Sequence, residues 1–237
     1  RYRWIRGDWQ IAGWVLPRVP GPGASRQRNP LSGLSQWKIF DNLRRSLGPS
    51  ALTLLLLLGW TALSPVWLWT LSVIGIILIP SLSASILDLF QKPGDMLLSQ
   101  HLAAAVRSAG RHFAQAAFTL VCLPFEAFFS LDAIVRTAGR MLVTHTRLLE
   151  WSPSSDPDRN SRRDLVAFCR SMWIAPVSAT AAVIYLTLSR PVALAVAGPI
   201  LGLWFASPAI AWWISRPLAR RGARLTADQT IFLQKLS

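Results

Sequence analysis

Two pairs of uncharged, apolar runs constrain the fold more than any other feature of this sequence. Residues 49–63 and 66–87 form the first pair, and residues 171–189 and 191–214 form the second. A backbone in lipid must satisfy its own polar groups, so apolar runs of this kind predict membrane-spanning helices. At about 1.5 Å per residue the first run falls short of the hydrocarbon core, and we expect that helix to borrow a turn at each end. The pattern predicts an all-α membrane protein with four transmembrane helices in two hairpins, joined by amphipathic interfacial helices.

The remaining sequence divides around these hairpins. Proline and glycine between residues 17 and 30 predict a loop. Helical spacing of apolar residues over 31–47 predicts an amphipathic helix on the membrane surface, and residues 131–149 show the same pattern. The predicted segments are 1–48, cytosolic with an interfacial helix; 49–90, the first hairpin; 91–151, interfacial helices; 152–170, a polar linker; 171–215, the second hairpin; and 216–237, the start of a cytosolic C-terminal region.

The apolar stretch 113–130 is the most ambiguous part of this division. It contains Gln115, Pro124 and Glu126, and a carboxylate in lipid is costly without a partner. If the stretch does not span, every lysine and arginine except Arg190 lies on one side, as the positive-inside tendency favours. The sequence therefore predicts an interfacial or re-entrant segment, with both termini cytosolic. We expect a structural ion pair between Glu126 and a nearby arginine, either Arg111 or Arg136.

Charge and reactive side chains narrow the function classes. The net charge of +14 surrounds membrane hairpins, which favours an anionic lipid surface over nucleic acid as the partner. The four predicted spans carry no charge, which argues against ion transport. Cys122 and Cys169 have no C-x-x-C spacing, and His101, His112 and His145 have no metal-ligand spacing. The sequence predicts no metal site in this chain.

The first ten residues carry the chemistry. They contain three arginines and two tryptophans directly before the membrane region. Aromatic faces can stack on sugar rings, and guanidinium forks can bind phosphate, so this composition suits a site for an activated sugar. An interfacial basic-aromatic segment at lipid headgroups is the alternative interpretation.

A family resemblance favours the first interpretation. The run Arg3-Trp4-Ile5-Arg6-Gly7, followed by Gln10-Ile11, resembles the end of the QxxRW motif of membrane-embedded processive glycosyltransferases of the cellulose-synthase type. Residues 29–32, 37–47 and 146–151 resemble the cyclic β-1,2-glucan synthases more closely. These strings bracket roughly residues 1–170, and the order of segments extends the likeness to the end of the chain.

The resemblance implies specific roles and partners. It implies that Trp4 stacks on the acceptor sugar, that Arg3 and Arg6 lie near nucleotide phosphates, that Gly7 lets the backbone turn, and that Gln10 belongs to the same substrate-binding set. The implied activity is synthesis of cyclic β-1,2-glucan from nucleotide-activated glucose. The resemblance also implies UDP-glucose and a divalent metal (Mg or Mn) for the full enzyme. The implied location is the bacterial inner membrane. We expect Asp8 to pair with a neighbouring arginine.

The catalytic carboxylates of such an enzyme are not evident in this sequence. Asp156-Pro157-Asp158 spells D-x-D but lies in a polar linker without a preceding strand. We therefore expect a segment of a longer polypeptide, with a catalytic domain upstream and a phosphorylase-like domain downstream. Glu150-Trp151 ends the predicted helix over 131–149. We expect it to cap that helix at the linker or, alternatively, to contact the growing glucan. Another processive polysaccharide synthase of the cellulose-synthase type, or a non-catalytic membrane scaffold, remains an alternative.

Overall fold

The computed structural model describes residues 1–21, 25–91, 97–144, 146 and 164–216, and these residues are mostly helical, as predicted. One-turn helices cover Ala12–Val15, Arg140–Thr144 and Pro191–Ala193. The longer elements are α1 (Tyr2–Gln10), β1 (Arg18–Pro20), β2 (Arg26–Arg28), α2 (Gly33–Thr61), α3 (Val66–Phe90), α4 (Leu98–Gly139), α5 (Leu165–Ser171), α6 (Ile174–Ser189) and α7 (Leu194–Ile214). The predicted residues 147–151, 152–163 and 217–237, including Glu150-Trp151 and Asp156-Pro157-Asp158, lie outside the described residues.

Length and composition identify the helices that are able to cross a membrane. Among the described residues these are Val66–Phe90, Leu98–Thr144 and Pro191–Ile214. A fourth is added if α5 and α6, which meet at a bend of 65°, count as one broken span. The chain is therefore a helical membrane protein, but the set differs from the predicted one. It contains α4, which we predicted to lie at the interface, and it omits α2.

α2 joins two segments that were predicted to be separate helices. The predicted interfacial helix over 31–47 and the predicted span over 49–63 form one helix of 29 residues with Pro49 inside it. Ser32 caps its beginning, because the side-chain oxygen accepts a hydrogen bond from the Ser35 backbone N–H at 3.3 Å. Pro49 removes one backbone hydrogen bond and crowds the preceding turn, yet the helix continues into a run of leucines, which favour helical structure.

α4 is likewise continuous through the stretch predicted to be interfacial or re-entrant. Its 42 residues include Gln115, Pro124 and Glu126 without a break, and at about 1.5 Å per residue the helix is about 63 Å long. The predicted obstacle was the cost of an unpaired carboxylate. The structure supplies the partner, because Arg1 pairs with Glu126 at 2.9 Å.

α2 and α3 pack on opposite halves of α4. Along α3, Ser81 donates to the His112 carbonyl at 3.1 Å, and Asp88 accepts from Ser108 at 2.6 Å. Along α2, Ser50 donates to the carbonyl of Ala127 at 3.2 Å. The two helices therefore diverge from the turn between them instead of running side by side along their full length, as a simple hairpin would.

The main core forms where five of the helices meet. Trp60 and Trp204 are fully buried with ring centroids 5.4 Å apart. The Trp60 indole donates to Thr70 at 3.0 Å, and the Trp204 indole donates to the Leu120 carbonyl at 3.0 Å. We call this region the tryptophan core; its buried members also include Leu56, Val73, Leu123, Leu186, Ala197 and Leu201.

The second predicted pair of spans corresponds to α6 and α7. They meet at Arg190 and Pro191, where the sequence analysis placed the tip, and they pack on each other in the tryptophan core. The Arg190 guanidinium donates to the Leu63 carbonyl at 3.3 Å and to the Ser64 hydroxyl at 3.1 Å. The turns α2–α3 and α6–α7 therefore lie at the same end of the protein. Which side of a membrane this end faces stays a prediction.

The predicted loop over residues 17–30 contains two short strands. β1 and β2 pair antiparallel, with Arg18 opposite Arg28 and Val19 opposite Gln27. Val19 is fully buried. The prediction was wrong because three-residue strands are too short to show the alternation by which strands are recognised in sequence.

Candidate functional site

α1 carries the arginine–tryptophan motif and lies in contact with α4 and α2. Tyr2, Ile5 and Trp9 follow helical spacing and form its inner face. Ile5 is buried against Ala133 and Ile134 of α4. The apolar spacing of the first ten residues thus determines which face of α1 packs and which remains exposed.

Polar contacts fix the first turn of α1 on α4. The Tyr2 hydroxyl donates to Asp132 at 2.8 Å, and its ring meets Phe129 edge to face at 5.2 Å. Burial raises the pKa of the Tyr2 phenol, and the hydrogen bond to Asp132 raises it further. Arg1 adds the ion pair with Glu126 already described. The neutral phenol is therefore the form that holds α1 in place.

Two further contacts fix the second half of α1 on α2. The Trp9 indole donates to the Ser46 hydroxyl at 2.9 Å. Asn42 donates from its side-chain amide to Asp8 at 3.1 Å. The structure thus supplies an amide donor for Asp8 where we expected a neighbouring arginine. We call Asn42, Ser46, Glu126, Phe129 and Asp132 together the α1-binding surface.

The outer face of α1 presents Trp4. Its side chain is 71% exposed, and Arg3 and Gly7 on the same face are also exposed. Arg6 and Gln10 are half-buried at the edges, and Arg3, Arg6 and Gln10 each make contacts within the protein. The structure therefore brings all five predicted substrate-binding residues onto one helix, with an unobstructed indole between the arginines.

Gly7 has a different structural role from the predicted one. It lies inside α1 and not at a turn, and a Cβ added there would meet no atom within 4 Å. Neither backbone conformation nor crowding requires glycine at this position. Its visible consequence is a strip of bare backbone beside Trp4 on the exposed face.

The predicted pairing of Glu126 with Arg136 or Arg111 is wrong in its partner. Glu126 pairs with Arg1, whereas Arg136 pairs with Asp132 at 2.6 Å, one helical turn away on α4. The prediction named the arginines nearest in sequence, but in one continuous helix Arg111 and Arg136 lie about 22 and 15 Å along the axis from Glu126, too far to reach it. The actual partner comes from α1, so the ion pair joins two elements instead of stabilising one.

The β1–β2 hairpin adds a feature that the sequence analysis missed. A groove of about 540 Å³ lies there, lined by Leu16, Pro17, Arg18, Arg26 and Arg28. The only signal in sequence was the occurrence of three arginines within eleven residues. We call this feature the arginine groove.

The described residues do not provide a metal centre. They contain no group of three or more His, Cys, Asp or Glu side chains placed to hold a metal ion. The divalent metal that the resemblance implies for the full enzyme stays a prediction.

Comparison with known proteins confirms the resemblance. No protein-family model matches the chain. The chain is similar to the cyclic β-(1,2)-glucan synthase NdvB of Rhizobium meliloti (strain 1021), with 29% identity over 233 residues. The match covers 98% of this chain but only 8% of the relative's length. The chain is thus related to one small region of that enzyme.

Proposed function

We propose that this chain is the membrane part of a glycosyltransferase that synthesises cyclic β-1,2-glucan from nucleotide-activated glucose. Similarity to a cyclic glucan synthase along nearly the whole chain supports this assignment. The structural observation that carries it is Trp4, which is 71% exposed on a helix whose other face is fixed by hydrogen bonds and an ion pair. A large exposed indole on a rigid support suits recognition of a sugar ring.

Each residue of the outer face has a role in this proposal. Trp4 stacks on the acceptor sugar, because its apolar face excludes water from one side of the ring. Arg3 and Arg6 donate to the phosphates of the sugar nucleotide. Gly7 leaves backbone accessible, so a sugar can approach the helix closely beside the indole. Gln10 supplies amide hydrogen bonds at the far end of the same helix.

The fixed position of α1 contributes to the rate of glycosyl transfer by positioning the acceptor. Transfer of a glycosyl group requires the acceptor hydroxyl to be held in line with the donor, and such positioning contributes strongly to rate. α1 holds the acceptor, while carboxylates and a divalent metal outside this chain activate it in the full enzyme. We place those groups in a catalytic domain upstream, with a phosphorylase-like domain downstream.

The proposed location is the bacterial inner membrane, with both termini cytosolic. The net charge of +14 suits the anionic cytosolic leaflet. Nucleotide-activated sugars are made in the cytosol, so the outer face of α1 would lie on that side. The lipid bilayer, the glucan and the sugar nucleotide are then the partners of this segment.

The test is replacement of Trp4 in the full-length enzyme. We expect Trp4→Ala to lower glucan synthesis from labelled UDP-glucose by at least about tenfold, because loss of a stacking contact raises the barrier by at least about 1.4 kcal/mol. Trp4→Phe retains a ring and should keep an intermediate rate. Trp213→Ala removes another tryptophan of similar exposure, 68%, and should leave the rate within about twofold.

The measurement requires two accompanying readouts. Membrane insertion and protein level should be equal in all variants, so that lost synthesis reports the site and not the fold. Wild-type synthesis by Trp4→Ala would exclude the assigned role. Linkage analysis of the product separates the alternatives: a linear polymer favours another processive synthase, and absence of any transfer by the wild type favours a membrane scaffold.

A further inference from the structure

The β1–β2 hairpin gathers positive charge that no described carboxylate balances. Arg18 lies directly opposite Arg28, and Arg26 lies opposite Pro20. Within the described residues, none of these arginines forms an ion pair. Like charges directly opposite each other in an antiparallel pair are destabilising. An anion that binds between them would relieve this repulsion.

The hairpin holds these arginines on a fixed frame. Val19 lies on the opposite face of the strand pair from Arg18 and Arg28, and it is fully buried. The Asn29 side chain donates to the Trp14 carbonyl at 2.7 Å and to the Leu16 carbonyl at 2.9 Å. Its side-chain oxygen accepts from the Leu31 N–H at 2.9 Å, which ties the hairpin to the beginning of α2. The groove is therefore built by packing and hydrogen bonds and not by a loose loop.

The lining of the groove is both cationic and apolar. Guanidinium groups match phosphate oxygens through paired N–H donors. Leu16 lines the same groove and is 56% exposed. The first turns of α2, which follow the hairpin directly, expose Leu34, Trp37 and Phe40 as well. Exposed apolar side chains beside cations are typical of a protein surface at the boundary between headgroups and acyl chains.

From this combination we propose that the arginine groove binds the phosphate of an anionic phospholipid headgroup. Arg18, Arg26 and Arg28 donate to the phosphate, and Leu16 contacts the start of the acyl chains. A sugar nucleotide is the competing phosphate source. Among the described residues, the groove lining includes no aromatic ring, side-chain amide or carboxylate with which to bind a base or a sugar, and it shares no residue with the outer face of α1.

The test uses the purified full-length protein after removal of bound lipid. Native mass spectrometry measures the dissociation constants of phosphatidylglycerol, phosphatidylcholine, inorganic phosphate and UDP-glucose. We expect the combined variant R18Q/R26Q/R28Q to bind phosphatidylglycerol at least about tenfold more weakly, because several charge-assisted hydrogen bonds are lost. Its binding of phosphatidylcholine and of UDP-glucose should stay within about twofold of the wild type.

Two controls separate a built site from general surface charge. R44Q/R45Q/R107Q removes the same charge elsewhere, and its affinity for phosphatidylglycerol should stay within about threefold of the wild type. R18K/R26K/R28K keeps the charge and is the safer variant for folding, yet it should bind at least about threefold more weakly because lysine lacks the planar fork.

Three outcomes would overturn the proposal. Equal losses in the two charge-removing variants would reduce the effect to net charge. A lysine variant with wild-type affinity would show that no fork geometry is used. A loss of UDP-glucose or inorganic phosphate binding larger than that of phosphatidylglycerol would assign the groove to a soluble phosphate ligand instead of a lipid.

Discussion

The tryptophan core and the α1-binding surface hold their parts of the protein by opposite means. In the core, Trp60 and Trp204 are fully buried and pack among aliphatic side chains of five helices. On the α1-binding surface, Glu126 and Asp132 hold α1 through side chains that remain a quarter or more exposed. Truncating a buried tryptophan costs about 3–5 kcal/mol, whereas a partly exposed ion pair contributes about 1 kcal/mol or less.

This difference assigns separate tasks to the two regions. The core determines whether the helices assemble, and the α1-binding surface determines the position of the Trp4 indole. Because the first region carries most of the stability, the second is able to use polar contacts, which fix direction and distance more narrowly than apolar packing does. Changes in the core should therefore alter stability first, and changes on the α1-binding surface should alter synthesis first.

The largest expected effect is that of Trp204→Ala. The substitution removes the contact with Trp60 and the hydrogen bond to the Leu120 carbonyl, and it leaves a cavity where five helices meet. We expect the free energy of unfolding to fall by about 3–5 kcal/mol. Unfolding by denaturant in detergent solution measures this loss, with helical circular dichroism as the signal.

Trp213→Ala on the same helix is the matched control, because that side chain is 68% exposed within the protein. Its free energy of unfolding should change by about 0.5 kcal/mol or less. Equal losses of unfolding free energy in the two variants would show that the tryptophan core contributes no more to stability than an exposed tryptophan does. The core would then not be the region that carries most of the stability.

A smaller effect is expected at a tight contact between α2 and α3. A Cβ on Gly59 would stand 2.6 Å from the Cβ of Trp69, so Gly59→Ala must push the two helices apart. Overpacking of this kind costs about 1–3 kcal/mol. Gly75→Ala on α3 is the control, because its Cβ meets no atom within 4 Å and should leave stability unchanged or raise it by about 0.5–1 kcal/mol. The same denaturant unfolding measures both variants. Equal changes in unfolding free energy for Gly59→Ala and Gly75→Ala would show that α2 and α3 are not tightly packed at Gly59.

The sequence predicted the fold best where the signal was local. Uncharged apolar runs located α3, α6 and α7, and Arg190-Pro191 marked the turn between the last two. It failed where tertiary contacts overrode local cost. Pro49 and Pro124 do not end their helices, and Glu126 is tolerated in α4 because its partner, Arg1, is 125 positions away in the chain. No periodicity reports a partner at that separation.

In the candidate site, too, local sequence signals were informative and tertiary contacts were not predicted. Composition picked out the first ten residues, and the resemblance picked out Arg3 and Trp4, but neither predicts a role for Trp9. The structure shows one: Trp9 points inward and bonds to Ser46, whereas Trp4 is exposed. Helical spacing alone places Trp9 with Ile5, so this distinction was available in the sequence once α1 was treated as a helix.

The smallest expected change in stability concerns the α1-binding surface. Tyr2→Phe keeps the ring contact with Phe129 and removes only the hydrogen bond to Asp132, which retains Arg136. We expect a loss of about 0.5–1.5 kcal/mol in the free energy of unfolding. Glucan synthesis should fall more steeply than this loss explains, because a small shift of Trp4 misplaces the acceptor. Tyr185→Phe on α6, a half-exposed tyrosine, should change neither quantity.

The pH dependence of the same variant shows whether the hydrogen bond is responsible. Burial and the bond to Asp132 raise the pKa of Tyr2 in the folded protein, so the unfolded chain loses its phenolic proton first as the pH rises. The stabilisation by Tyr2 is therefore complete below the ordinary tyrosine pKa of about 10 and declines above it. The difference in unfolding free energy between wild type and Tyr2→Phe should be constant from about pH 6 to 9 and shrink at higher pH. A difference that grows with pH would mean that the phenolate, and not the phenol, holds α1 in place.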